Sequence, residues 1–152
     1  MDNIINEELE KTVKNIFNKL FNLEIKHNDN YEVVKQEHDW DISGVVGIVG
    51  DYEGIIAIRL KEEMAEKLLE KSRVDAPDIS ARWNLINDMV GEIVNNISGN
   101  VISQVAKYKF RQSVPITVQG KNHILNWPVN APVYAIPFTL EYGTIEVQYS
   151  LS

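Results

Sequence analysis

The sequence predicts an α+β fold in which an antiparallel β-sheet packs with two long helices and a shorter helix. Three observations carry this prediction. Residues 7–22 and the stretch from Ile79 onward repeat apolar side chains at helical spacing. Residues 41–60, DISGVVGIVGDYEGIIAIRL, are β-branched runs cut by Gly44, Gly47, Gly50 and Gly54. The chain closes with YAIPFTLEYGTIEVQYSLS, two strand-like runs on either side of Gly143.

Each element follows in order. In EELEKTVKNIFNKLFN, Leu9, Val13, Ile16, Phe17, Leu20 and Phe21 share one helical face, and KHNDN then breaks the pattern. YEVVKQEH is strand-like with imperfect alternation. The glycine-cut stretch reads as two antiparallel strands joined by a turn around GDYEG. KEEMAEKLLEKS is a short amphipathic helix with Met64, Ala65, Leu68 and Leu69 inward. DAPD punctuates the chain, and Asp78 is placed to cap a long helix from about Ile79 to about Tyr108. SVPITVQGK and a proline-containing loop, NWPVNAPV, lead into the closing strand pair, with a tight turn at Gly143.

With 152 residues and no segment that reads as a linker, the chain is expected to form one domain across 1–152. No Cys is present, so disulfides, thiolate metal sites and cysteine nucleophiles are excluded. The first residues carry acid early and lack a long apolar run, so no signal peptide is expected. No stretch approaches the ~18 apolar residues that span a bilayer. The cytoplasm is the expected compartment, with no membrane partner. A net charge of −7 argues against nucleic acid, which requires a basic footprint.

The long helix holds the informative residues. At about 100° per residue, Leu85, Ile86, Met89, Val90, Ile93, Val94, Ile97 and Val101 fill one arc, the core face. Asn84, Asp88, Glu92, Asn95 and Gly99 fall together on the opposite side, with Gly91 and Gly99 bordering the stripe. Two glycines cost such a helix about 1 kcal/mol each relative to alanine. Their small size would let another surface approach closely. A solvated helix face is the plainer alternative. Asn96 and Asn100 rotate toward the apolar face and read as buried or half-buried amides bonding across the core.

Other motifs carry less. His27, His38 and His123 are scattered, and the glycines of 44–54 lack the Gly-Lys-Ser/Thr of a phosphate-binding loop. Ser98 and Ser103 have no nearby His or Lys to activate them. Trp83 lies at the margin between the polar and core arcs and reads as packing, with a docking contact as the alternative.

Asp88-x3-Glu92-x2-Asn95, followed by Gly99-Asn100 and by Pro115 in SVPITV, resembles the motif of the CheC/CheX/FliY family of chemotaxis phosphatases. ISGVVGIVGDYEGIIAIRLKEEMAEKLLEK is similar to that family's glycine-punctuated hairpin and short helix, and YAIPFTLEYGTIEVQYSL to its closing strand pair. Glu-x2-Asn occurs once; Glu7, Glu8 and Glu10 of the first helix have no Asn three residues on, which resembles the CheX branch.

The resemblance implies a phosphatase for the phosphoryl-aspartate of a CheY-type receiver. Asn95 would position the attacking water, and Glu92 would pair with the receiver's active-site lysine. Asp88, Gly91 and Gly99 would form the docking surface. It also implies no cofactor of the chain's own, Mg²⁺ supplied by the receiver, and a homodimer joined through sheet strands. A non-catalytic module that binds a receiver or motor-switch partner is the alternative.

Overall fold

A computed structural model describes residues 2–35, 39–72, 75–105, 107–127 and 131–152. The chain runs α1 (Asp2–Phe21), β1 (Lys26–His27), β2 (Tyr31–Glu32), β3 (Ile42–Gly50), β4 (Gly54–Leu60), α2 (Glu62–Lys71), α3 (Ile79–Gln104), β5 (Phe110–Gln112), β6 (Ile116–Gln119), β7 (Tyr134–Leu140) and β8 (Gly143–Leu151). All pairings are antiparallel, in the order β1-β7-β8-β4-β3-β5, with β2 also on β7 and β6 also on β3. The α+β prediction with two long helices and one short helix holds.

The sheet repeats itself about its centre. Hairpin β3–β4 meets hairpin β7–β8 along the β4–β8 pairing. The outer side of β3 is covered by β5 and β6, which follow α3. The outer side of β7 is covered by β1 and β2, which follow α1. Each half therefore lends its short strands to the other half's hairpin.

Alternation along the strands decides which side chains face the helices. Ile56, Ile58, Ile145, Val147 and Tyr149 are buried in one cluster with Leu9, Val13 and Phe17 of α1 and Ile86, Val90 and Ile97 of α3. Each such fully buried side chain contributes about 1.5–3 kcal/mol, which readily outweighs the glycine cost in α3. The opposite face is polar yet covered. Arg59 donates to Gln148 Oε1 (3.1 Å), and Ser43 Oγ lies 2.7 Å from His123 Nε2, beneath the segment that precedes β7.

Several expectations need correction. Helix α1 begins at Asp2 rather than near residue 7, and Ile5 extends its buried face. Leu20 is exposed, because the apolar face rotates on to Phe21. The YEVVKQEH strand shrinks to Tyr31–Glu32, and its residues 36–38 lie outside the described residues. Helix α3 stops at Gln104, where Val105 leaves helical geometry (φ −96°, ψ 60°). Tyr108 instead starts a ring cluster with Tyr52 and Phe110. Asp78 caps α3 as expected, accepting from the Ala81 N–H at 2.8 Å.

Helix α2 has no side-chain cap of its own at Lys61; Asp41, from the residue before β3, caps it instead. Burial works against the charged Asp41 carboxyl. The N–H groups of Glu62 and Asn122, with Lys121 and Lys61 nearby, prevail and hold its pKa below the ordinary value. A lowered folded-state pKa gives stability that is fully present above the unfolded carboxylate pKa of about 3.9. It is lost as pH falls through the lower folded value. Asp41→Asn should therefore reduce the melting temperature most at neutral pH, with the gap to wild type closing as pH falls through the lowered folded value. A gap independent of pH would refute the charged cap.

Candidate functional site

Asp78 starts α3 in the register that turns its buried residues onto the sheet, and Gly44 lets the helix lie close. A Cβ on Gly44 would stand 3.0 Å from the Val90 carbonyl oxygen and from Cγ1 of both Val90 and Val94. This seat fixes which α3 residues look outward. Asn84, Asp88 and Glu92 are exposed, while Asn95 and Gly99 are half-buried. Among the described residues, neither Asp88 nor Glu92 joins an ion pair.

Beside this stripe runs a second ridge at four-residue spacing, Trp83, Asn87, Gly91 and Asn95, and β5–β6 lies along it. Gln119 Nε2 donates to the Trp83 carbonyl (3.1 Å), and Thr117 Oγ1 donates to the Asn87 carbonyl (3.1 Å). At Gly91 a Cβ would meet Thr117 Oγ1 at 3.3 Å and the Pro115 ring at 4.0 Å. At Asn95, Gln112 Nε2 donates to Oδ1 at 2.8 Å. Gln112 Oε1 in turn accepts from Ser98 Oγ, also at 2.8 Å, and Ser98 is fully buried.

The predicted residues thus separate. Asp88, Glu92 and Asn95 come together at the surface as expected, with Gly99 beyond them. Gly91 does not border open surface. It is buried, and its missing side chain admits β6 of the same chain rather than a partner. Asn96 is half-buried, but Asn100 is exposed and donates to the Asn96 carbonyl at 2.8 Å instead of reaching across the core. Trp83 packs against the core, in line with the packing reading. His27 sits on β1 bonded to Asn30, at the other end of the sheet from β3, where Ser43 meets His123 of the segment after β6, and His38 lies outside the described residues. Among the described residues no three His, Asp or Glu side chains group as a metal site, and no helix is long and apolar enough to cross a membrane.

Gln112, Ser98 and Thr117 were not anticipated as site residues. The alternation in FRQSVPITVQ hints at strands, but nothing in it shows that they flank α3.

Chemically, the site offers an exposed carboxylate one turn from an amide whose oxygen is already held. The Asn95 Nδ2 group is turned away from that bond and is available to donate. The family model described as chemotaxis phosphatase CheX matches residues 42–139, which include every one of these α3, β5 and β6 residues. The chain belongs to the CheX family.

Solved structures agree with that membership in fold. A chemotaxis protein CheX from Desulfovibrio desulfuricans superposes with a TM-score of 0.88 at 24% identity, covering 97% of this chain and 99% of that one. A CheC-like superfamily protein from a Shewanella species gives 0.84 at 23% identity, covering 100% and 99%. The CheX of the CheX–CheY–BeF3–Mg complex from Borrelia burgdorferi gives 0.81 at 21% identity, covering 95% and 96%. No curated protein matches the chain. For a CheX-family chain, the single Glu-x2-Asn pair on α3, with Pro115 packed beside Gly91, gives the site one face of one helix.

Proposed function

We propose that this CheX-family protein hydrolyses the phosphoryl-aspartate of a CheY-type receiver, in two-component signalling of the chemotaxis kind. The observation that carries this reading is Asn95. It is a neutral amide on the exposed stripe, held at its oxygen and one turn from the exposed Glu92. The Borrelia relative, solved with CheY, BeF3 and Mg, supports a receiver as the partner.

An acyl phosphate is already labile, so catalysis reduces to placing a water in line with phosphorus. The water oxygen bonds phosphorus while the bond to the aspartyl oxygen breaks, leaving aspartate and inorganic phosphate. An amide suits this task because it can accept from the water and donate to the phosphoryl group without titrating. Asn95 takes that role. Glu92 pairs with the receiver's lysine, while Asp88 and Gly99 contribute docking surface. Mg²⁺ belongs to the receiver. The retained Asn95 favours hydrolysis over a docking-only module. A homodimer through sheet strands is part of the same proposal, because β6 pairs on one side only among the described residues.

The direct test measures decay of the acyl phosphate on candidate receivers with and without the protein; no acceleration of any of them would refute the proposal. Glu92→Lys sets like charges against the receiver lysine. It should raise KM about tenfold or more while leaving the melting temperature unchanged. An unchanged KM would remove Glu92 from the docking role.

A further inference from the structure

The geometry points to Gln112 as the positioning residue for Asn95, with Ser98 as its anchor; this rests on the phosphatase reading above. An asparagine amide is a broad rotor about its last torsion, so an unsupported Asn95 would present its oxygen and its nitrogen in many directions. Gln112 removes that freedom. It sits on β5, in register with Ile48 of β3, and alternation puts it on the same helix-facing side as Phe110. Its amide nitrogen donates to Asn95 Oδ1, and its amide oxygen accepts from Ser98 Oγ, both at 2.8 Å. Because Gln112 bonds at both ends, it can fix the Asn95 oxygen only in one orientation, with Nδ2 directed away from β5. One lone pair of Oδ1 stays open for the water.

Gly99 belongs to the same device. A Cβ there would lie 3.7 Å from Gln112 Oε1 and 3.8 Å from Nε2, ordinary contact, so the Gln112 amide sits beside Gly99, which offers no side chain. A larger residue at 99 would push Gln112 off Asn95.

Strand β5 does not depend on the Gln112 side chain. Backbone pairing with β3 holds it, and Ser113 adds an N–H bond to the Gly47 carbonyl at 2.8 Å. Ser98 Oγ keeps the Asn95 backbone carbonyl at 3.2 Å as an alternative acceptor. Gln112→Leu should therefore fold normally.

The test compares Gln112→Leu, Gln112→Glu and Asn95→Ala in the full-length protein, reading kcat, KM for the phosphorylated receiver, and melting temperature. Glutamate keeps the size of Gln112 but cannot donate to Oδ1. Both Gln112 variants should lose about 10- to 100-fold in kcat; Gln112→Leu should keep the wild-type KM, and the melting temperature should fall by no more than a few degrees for the lost hydrogen bonds. The ¹⁵N order parameter of the Asn95 side-chain amide should fall in Gln112→Leu, whereas the glutamate, able only to accept, should draw Asn95 Nδ2 toward β5 and turn the amide over. Gln112 variants with wild-type kcat beside an inactive Asn95→Ala would overturn the positioning role and leave the phosphatase reading intact. A kcat loss that merely follows lowered melting would likewise overturn it, as a structural effect. A fully active Asn95→Ala would overturn both.

Discussion

Asn95→Ala is expected to abolish receiver dephosphorylation, a loss of at least about 100-fold, in a protein that still folds. The substitution removes the amide one turn from Glu92, a group able both to accept from a water and to donate to a phosphoryl oxygen. Glu92 cannot replace it, since a carboxylate only accepts and its charge would oppose an incoming phosphoryl group. The structural cost is small. Losing the half-buried bond to Gln112 costs about 0.5–1.5 kcal/mol, while alanine recovers up to about 0.7 kcal/mol of helix propensity. The melting temperature should consequently move by no more than a few degrees. Following acyl-phosphate decay on a phosphorylated receiver, alongside thermal melts, separates the two effects. Wild-type acceleration by the alanine variant would remove Asn95 from the mechanism.

A large loss of stability from a minimal change is expected at Gly44, where α3 rests on the sheet. Its absent side chain lets α3 lie directly on β3, with the Val90 carbonyl and two valine methyls already 3.0 Å from where a Cβ would stand. Valine methyls can turn, but the helix carbonyl cannot yield without moving the helix. Gly44→Ala should cost about 1–3 kcal/mol by overpacking, or roughly 2–4 °C of melting temperature for each kcal/mol in a chain of this size. Gly44→Leu should lose more, because the extra atoms have nowhere to go but between β3 and α3. Denaturant titration of the three proteins is the check. An alanine variant as stable as wild type would mean that α3 relaxes freely on the sheet, and its outward stripe would then be less firmly aimed than the contacts indicate.

How much of this was readable in the chain differs from element to element for physical reasons. The β3–β4 hairpin, α2 and the start of α3 carry local signals: glycine-cut β-branched runs, an amphipathic period and a capping Asp78. The stop of α3 at Gln104 carries none, since neither glycine nor proline follows closely, and the extended reading to Tyr108 overran it. Strands β1 and β2, two residues each, are too short to have a period. Asp88, Glu92 and Asn95 could be found because helical rotation alone brings them together. Gly91 was misassigned because rotation gives an angle but not which strand covers it. Gln112 stands 17 residues from Asn95, and their meeting depends on β5 pairing with β3. No periodicity within either segment encodes that.

The exchange of short strands between the two hairpins has a consequence for how the chain reaches this structure. Lys26 pairs with Thr139, so the first edge of the sheet cannot be completed until nearly the whole chain is available. Central pairs such as Gly54 with Leu151 close loops almost as long. Such non-local closure spends chain entropy before its contacts repay it, which places the protein among slow folders of high contact order. Neither hairpin has a finished edge without the other half of the sequence. A nascent chain released early would expose unpaired β3 or β7 backbone, the template for association with other chains. The helix that bears Asn95 is translated midway between these partners. The sheet beneath it gains its central β4–β8 pairing only when the last strand arrives.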